Sequence, residues 1–156
     1  MINNDVLRSL RYMLDLSDGH IVTLCQMADP TFAITAEEVN GFLRKEDEAG
    51  FVTCPDPVLA RALDGLVIHM RGVDERNPAP PPLPSRMTNN LVLKKLRVAF
   101  QLRDEDMHAV FTAAGMPVSK PELSALFRQP AHKNYRACGD QLLRNFLKGL
   151  TLRVRG

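Results

Sequence analysis

The side chains of this sequence that suit a defined chemistry are cations, an amide and an aromatic ring between positions 94 and 148. Arg144 and Lys148 stand four residues apart in a helical pattern, which places both on one face. The run 132–136 combines His, Lys, Asn, Tyr and Arg, the types that contact phosphates and stack on bases. The pattern predicts a nucleic-acid interface, with RNA and DNA undecided. Its candidate residues are Lys94, Lys95, Arg128, Lys133, Asn134, Tyr135, Arg136, Arg144 and Lys148.

The net charge of +2 conceals two halves of opposite sign. Residues 1–88 contain 8 Lys and Arg against 13 Asp and Glu, a net charge of −5. Residues 89–156 contain 12 Lys and Arg against 5 Asp and Glu, a net charge of +7. Such asymmetry indicates either an anionic partner for the basic half or electrostatic docking of one half on the other.

No arrangement of residues in the sequence points to catalysis. The four His residues are scattered, and we find neither a Gly-rich phosphate loop nor a nucleophile elbow. Cys25, Cys54 and Cys138 lack the paired spacing of zinc ligands. We therefore predict no enzyme activity, no catalytic residue, no metal and no cofactor.

The three cysteines are odd in number and far apart, which favours reduced thiols in a cytoplasmic protein. Cys54 and Cys138 each precede a helix, where the N-terminus can activate a thiol, but burial as a small apolar side chain is the favoured interpretation. The N-terminal residues lack a basic segment followed by an apolar run, so we expect no signal peptide, and no run of 18 apolar residues predicts a membrane span.

The chain contains two copies of one unit. The segment 3–11 returns as 89–97, and the segment 42–72 returns as 126–156. This predicts a first, acidic repeat at 1–72, a Pro-rich linker at 73–88, and a second, basic repeat at 89–156. Because each copy is near the lower size limit for independent stability, we expect the two to pack together with pseudo-twofold symmetry.

Each copy shows the apolar periodicity of four helices, so the predicted fold class is all-α. The first helix of each copy is expected to begin at an Asn pair acting as N-cap, and the fourth at Asp56 and at the Gly139-Asp140 pair. Thr35 and Ser119 open capping boxes for the third helices. Gly50 and its counterpart Asn134 are expected in the left-handed region, and the linker segment 77–84 in extended polyproline II conformation.

Polar residues that recur in both copies predict structural contacts. Arg is expected to pair with one of two Asp residues in each copy. The residues concerned are Arg11, Arg97, Asp18, Asp104, Asp56 and Asp140. Gly65 and Gly149 lie inside the fourth helices, where they predict close helix–helix approach, with the contact between copies as one place for it.

The helices around residues 107–114 and 119–128 loosely resemble a helix-turn-helix, which would present Lys120, Ser124 and Arg128 to a groove of DNA. The intervening turn is long for that motif, so a plain helical hairpin is favoured.

The segments 43–51, 89–97 and 132–141 resemble the YehS-like family of bacterial proteins. The resemblance covers nearly the whole chain and implies a small cytoplasmic protein with two tandem copies of one domain. It implies no activity, cofactor or catalytic residue.

These observations predict a non-enzymatic module that binds nucleic acid through its second repeat. The main alternative is a protein-interaction or self-associating module, in which the acidic repeat of one chain meets the basic repeat of another. A weaker third option is an enzyme or small-ligand sensor with a pocket between the copies.

Overall fold

The computed structural model describes residues 1–76 and 80–156, and this part of the chain contains eight α-helices and no strand. The predicted all-α class is therefore confirmed. The chain divides into two compact units, Met1–Met87 and Thr88–Gly156, called here the first and the second unit. The first unit contains α1 (Asn3–Leu14), α2 (Asp18–Ala28), α3 (Ala36–Leu43) and α4 (Asp56–Arg71). The second contains α5 (Asn89–Ala99), α6 (Asp104–Ala113), α7 (Lys120–Leu126) and α8 (Asp140–Arg155).

The third helix of each unit begins at the predicted capping box. The Thr35 hydroxyl accepts from the Glu38 N–H at 3.2 Å, and the Glu38 carboxylate accepts from the Thr35 N–H at 3.1 Å. Ser119 and Glu122 repeat both bonds before α7, at 3.2 and 3.1 Å. These two predictions are confirmed. The sequence could predict both capping boxes because the motif is local and needs no distant partner.

The prediction that the Asn pairs and Asp56 act as N-caps is wrong. Ile2 and Thr88 are the N-caps of α1 and α5, and Pro55 is the N-cap of α4. The Asn and Asp residues stand one position or more inside the helices, and their side chains bond to distant parts of the chain, as described below.

Left-handed backbone occurs at one of the two expected loop positions. Gly50 has φ of 85°, as predicted, but Asn134 does not lie in the left-handed region, and its N–H donates to His132 Nδ1 at 3.0 Å. Asp15 (φ 55°) and Gln101 (φ 53°) adopt this conformation instead, where α1 and α5 end. The N–H groups of Leu16 and Leu102 then bond back to Arg11 and Arg97 carbonyls, both at 3.0 Å, which satisfies the helix ends.

Direct backbone contact joins the second and fourth helices of each unit. A Cβ atom at Gly65 would lie 1.8 Å from the Leu24 carbonyl oxygen of α2. A Cβ atom at Gly149 would lie 2.1 Å from the Val110 carbonyl oxygen of α6. The close approach that the glycines predicted therefore lies inside each unit.

The described part of the predicted linker is fastened to the first unit. Arg61 donates to the Pro81 carbonyl at 2.7 Å, and the Met87 N–H donates to the Asp56 carboxylate at 2.9 Å. Residues 77–79, which belong to the predicted polyproline II segment, lie outside the described residues.

Within residues 1–76 and 80–156, the helices are too short or too polar for any of them to span a bilayer.

Gly149→Ala should lower the free energy of unfolding by about 2 kcal/mol, because α8 must move away from α6 to admit the methyl group. Gly65→Ala should behave alike. The control is Gly19→Ala, whose Cβ would meet only the Ser17 hydroxyl at 3.8 Å. Urea denaturation of the three variants measures the difference. Equal stability of Gly149→Ala and Gly19→Ala would contradict the packing described here.

Candidate nucleic-acid interface

The loop that carries most of the predicted interface is held by two asparagines of α5. Asn90 Nδ2 donates to the carbonyls of Leu126 and Arg136, both at 2.9 Å, and its Oδ1 accepts from the Cys138 N–H at 2.8 Å. Asn89 Nδ2 donates to the Cys138 carbonyl at 2.9 Å and to Asp140 Oδ1 at 2.8 Å. The loop is therefore fixed to α5 at both of its ends.

The first unit repeats this arrangement bond for bond. Asn4 donates to the carbonyls of Phe42 (3.0 Å) and Val52 (2.8 Å) and accepts from Cys54 (2.9 Å). Asn3 donates to the Cys54 carbonyl at 3.0 Å and to Asp56 at 2.6 Å. We call Asn3, Asn4, Asn89 and Asn90 the Asn clamp. Sequence reasoning missed this role, and the recurrence of both Asn residues at the same positions was the signal that could have found it.

The cations of α5 follow the clamp residues in the sequence. Lys94 is exposed and lies one turn after Asn90, on the same helix face. Its counterpart Arg8 donates to the carbonyl of Arg44 at 2.9 Å, and Arg44 is the counterpart of Arg128. Lys94 thus occupies the position from which Arg8 of the first unit reaches the start of its own loop. Its neighbour Lys95 is half-buried.

Within the loop, the candidates differ in what they can offer a ligand. Lys133 and Asn134 are exposed, whereas Tyr135 is half-buried. Arg128 is exposed, and its guanidinium lies 3.4 Å from His132 Nε2. Arg136 is committed to an ion pair with Glu122 at 2.6 Å, so it ties the loop to α7.

Arg144 and Lys148 lie on one exposed face of α8, as the spacing predicted. Asp140, which the clamp holds, precedes them by one and two helical turns. They form a second row of positive charge that starts from the same anchored point as the loop.

Three of the five carboxylates of the second unit are paired with arginines. Besides the pair of Arg136, Arg97 bonds to Asp104 at 2.5 Å, and Arg153 of α8 bonds to Asp106 of α6 at 2.7 Å. The pKa of Glu122 is lowered by the Ser119 N–H and then by Arg136. The remaining exposed cations among the candidates are Lys94, Arg128, Lys133, Arg144 and Lys148.

The predicted structural pairs are formed in part. Arg97 meets Asp104, donates to the Leu102 carbonyl at 3.1 Å, and lies over the Phe127 ring at 4.7 Å. In the first unit, Asp18 accepts from Asn40 at 3.2 Å instead, and Arg11 is exposed.

Asp56 and Asp140 accept from the Asn clamp, so of the two alternative partners expected for Arg97 the structure shows Asp104. The clamp bonds fix the Asn residues at the helix start, whereas Arg97, two turns further along, reaches Asp104 of α6.

The first unit contains a buried charge cluster that was not predicted from the sequence. The Arg61 side chain is 7 % exposed and contacts Asp64 at 3.4 Å and Asp29 at 3.8 Å. In the sequence, an i,i+3 charged pair is typical of a solvated helix face. The burial of Arg61 depends on tertiary structure, in which its guanidinium donates to the Pro81 carbonyl of the linker. The counterpart of Arg61 is Asn145, which donates to the Gln141 carbonyl at 2.9 Å.

The cysteines are free and buried. Burial raises the pKa of Cys25 and Cys54 to about 12 and that of Cys138 to about 11, so all three stay protonated at neutral pH. In the part of the chain that the structure describes, no group of three or more His, Cys, Asp or Glu side chains could hold a metal ion.

Comparison with known proteins supports the division of the chain into two repeats. The family model described as protein of unknown function (DUF1456) matches residues 3–72 and again residues 89–156. The uncharacterized protein YehS of Escherichia coli (strain K12) is 48% identical over 153 residues, which cover 98% of this chain and 96% of that protein. No solved structure matches the chain. The two-repeat organisation and the YehS-like resemblance are confirmed.

Asn90→Ala should lower the free energy of unfolding by about 3 kcal/mol, since three hydrogen bonds to otherwise unpaired backbone groups are lost. Asn134→Ala, at an exposed loop position, is the control and should change stability by less than about 0.5 kcal/mol. Urea denaturation followed by circular dichroism measures both. A destabilisation by Asn90→Ala no larger than the control's would refute the clamp.

Asp56 should contribute stability that depends on pH. Its pKa is lowered by the bond from Asn3 and then by the Met87 N–H. A lowered folded-state pKa gives stability that is present above the unfolded value, about 3.9, and lost as pH falls through the folded value. The stability difference between wild type and Asp56→Ala should therefore be constant from pH 7 to 5 and shrink below pH of about 4. A difference unchanged at pH 3, or an equal effect of Asp47→Ala, would contradict this.

Proposed function

The chain belongs to the DUF1456 family of proteins of unknown function, and we propose that it is a non-enzymatic module that binds nucleic acid through its second unit. The observation that carries the proposal is the partition of charge in that unit. Three of its four carboxylates on α6 and α7 pair with Arg97, Arg136 and Arg153. The surplus positive charge therefore stands on exposed side chains of α5, the loop and α8.

Binding would proceed by neutralisation of phosphates and release of their counterions. Lys94, Lys133 and Lys148 supply flexible point charges, and Arg128 and Arg144 supply planar donors that suit phosphate oxygens. The Asn clamp supports this use, because the backbone of an anchored loop need not be ordered at the moment of binding.

Asn134 and Tyr135 stand among these charges and can contact sugar, phosphate or base. Tyr135 is half-buried, so only part of its side chain is open to a ligand. We assign Arg136 a supporting role, since its guanidinium is held by Glu122.

We further propose a cytoplasmic location. All three cysteines are free thiols, the state that a reducing compartment maintains.

A second candidate is self-association through opposite charges. The loop of the first unit that corresponds to the basic loop carries Glu46, Asp47 and Glu48, all of them exposed. An acidic loop of one chain could therefore meet the basic loop of another. Sedimentation at low and high salt separates the two functions, because self-association predicts a dimer that dissociates as salt rises.

The five exposed cations should give salt-sensitive binding of labelled single-stranded RNA or DNA. If all five meet phosphates, the logarithm of the association constant should fall against the logarithm of salt concentration with a slope of about −3.5. The triple variant Lys94→Gln, Lys133→Gln, Lys148→Gln should reduce the slope to about −1.4. Fluorescence anisotropy over a salt series measures both slopes.

The matched control removes the same charge from the first unit, as Arg11→Gln, Lys45→Gln, Arg76→Gln. These side chains are exposed. The control should bind like wild type. An equal loss of affinity in both triple variants would mean that net charge alone determines binding. Absence of binding by wild type at low salt would exclude the proposed function.

A further inference from the structure

The second unit contains an open cleft of about 740 Å³ between α6 and α7. Its lining residues include Arg97, Glu105, His108, Lys120, Ser124 and Arg128. In the first unit, the corresponding helices are bridged by Asn40, which donates to Asp18 at 3.2 Å. Ser124 stands at the position of Asn40 and is shorter, while Asp104, the counterpart of Asp18, turns to Arg97. The substitution thus leaves the second unit without this bridge.

The two walls of the cleft offer different chemistry. Lys120, Ser124 and Arg128 follow one another at intervals of four residues, so one face of α7 and its extension supplies cations and a hydroxyl. The α6 wall supplies Glu105 and His108. His108 Nδ1 lies 3.0 Å from the Val118 carbonyl oxygen, which can only accept, so Nδ1 carries the proton and Nε2 of the neutral ring is an acceptor.

A fixed planar group completes the cleft. The Arg97 guanidinium lies over the Phe127 ring at 4.7 Å and is held in place by Asp104 at 2.5 Å and by the Leu102 carbonyl at 3.1 Å. An arginine plane that is immobilised in this way is a stacking surface for an unpaired base.

We propose that this cleft receives one unpaired nucleotide of a bound strand, an inference that rests on the proposed nucleic-acid binding. The phosphate lies against Lys120 and Arg128, the base stacks on Arg97, and its edge faces the acceptors Glu105 and His108. The volume falls in the range of sites for small molecules. The nucleic acid that this site selects is single-stranded.

The same geometry argues against a duplex at this site. A recognition helix must project into the major groove with its side chains outermost. Here Lys120, Ser124 and Arg128 line a concavity that α6 shares, and α7 has only 7 residues. A base pair held in a double helix cannot enter such a cleft, whereas an unstacked nucleotide can.

The test introduces into the second unit the bridge that the first unit has. Ser124→Asn places a side-chain amide opposite Asp104, as Asn40 does opposite Asp18 in the first unit. Asn40→Ser is the matched control. Fluorescence anisotropy with a labelled single-stranded hexanucleotide and with a duplex of the same sequence measures binding. Ser124→Asn should weaken single-strand binding roughly tenfold, the range of one stacked base, and leave duplex binding unchanged. Lys120→Gln, which removes a phosphate contact without filling the cleft, should weaken single-strand binding in the same direction.

The outcomes separate this inference from the function on which it rests. If wild type binds with the expected salt dependence but Ser124→Asn and Lys120→Gln leave single-strand affinity unchanged, the cleft is not the site and the surface function stands. A duplex bound as tightly as the single strand by wild type would also overturn the cleft. Absence of any salt-sensitive binding by wild type would remove both proposals.

Discussion

The Asn clamp is the interaction on which the rest of each unit depends. Asn4 is fully buried, and an amide without partners there would cost free energy, so its three bonds fix the end of α3, the loop and the approach to α4 together. Asn90 imposes the same constraint on the second unit. Because the clamp bonds to loop backbone and not to loop side chains, the loop sequence between the anchored positions is free to change.

Charge reversal in the loop is the consequence of that freedom. The same anchored backbone carries Glu46, Asp47 and Glu48 in one unit and a run with Lys133 and Arg136 in the other. The glycine contacts between the second and fourth helices keep the helical frame alike, since Gly65 and Gly149 each touch a backbone carbonyl of the neighbouring helix. A frame held by backbone contacts tolerates changes at the surface that a frame held by surface side chains would not.

The two units differ in where their charges are used. In the first unit, Arg61 is buried with Asp64 and holds the segment that follows α4. In the second, Arg97, Arg136 and Arg153 pair with three carboxylates of α6 and α7, and Lys94, Lys133 and Lys148 are exposed. Replacement of Asn40 by Ser124 removes a bridge between helices at the same time. The exposed lysines and the cleft between α6 and α7 therefore occur in the same unit.

Local patterns in the sequence determined the repeat, the eight helices, the capping boxes and the need for glycine inside α4 and α8. These features depend on neighbours three or four residues away or on helical periodicity, which one sequence displays directly. The role of Asn4, the ion pair of Arg136 with Glu122, the burial of Arg61 and the cleft were decided by tertiary structure alone. The partners of Asn4 and Arg136 lie between 14 and 50 residues away, and no local pattern encodes which distant backbone or side chain will be adjacent.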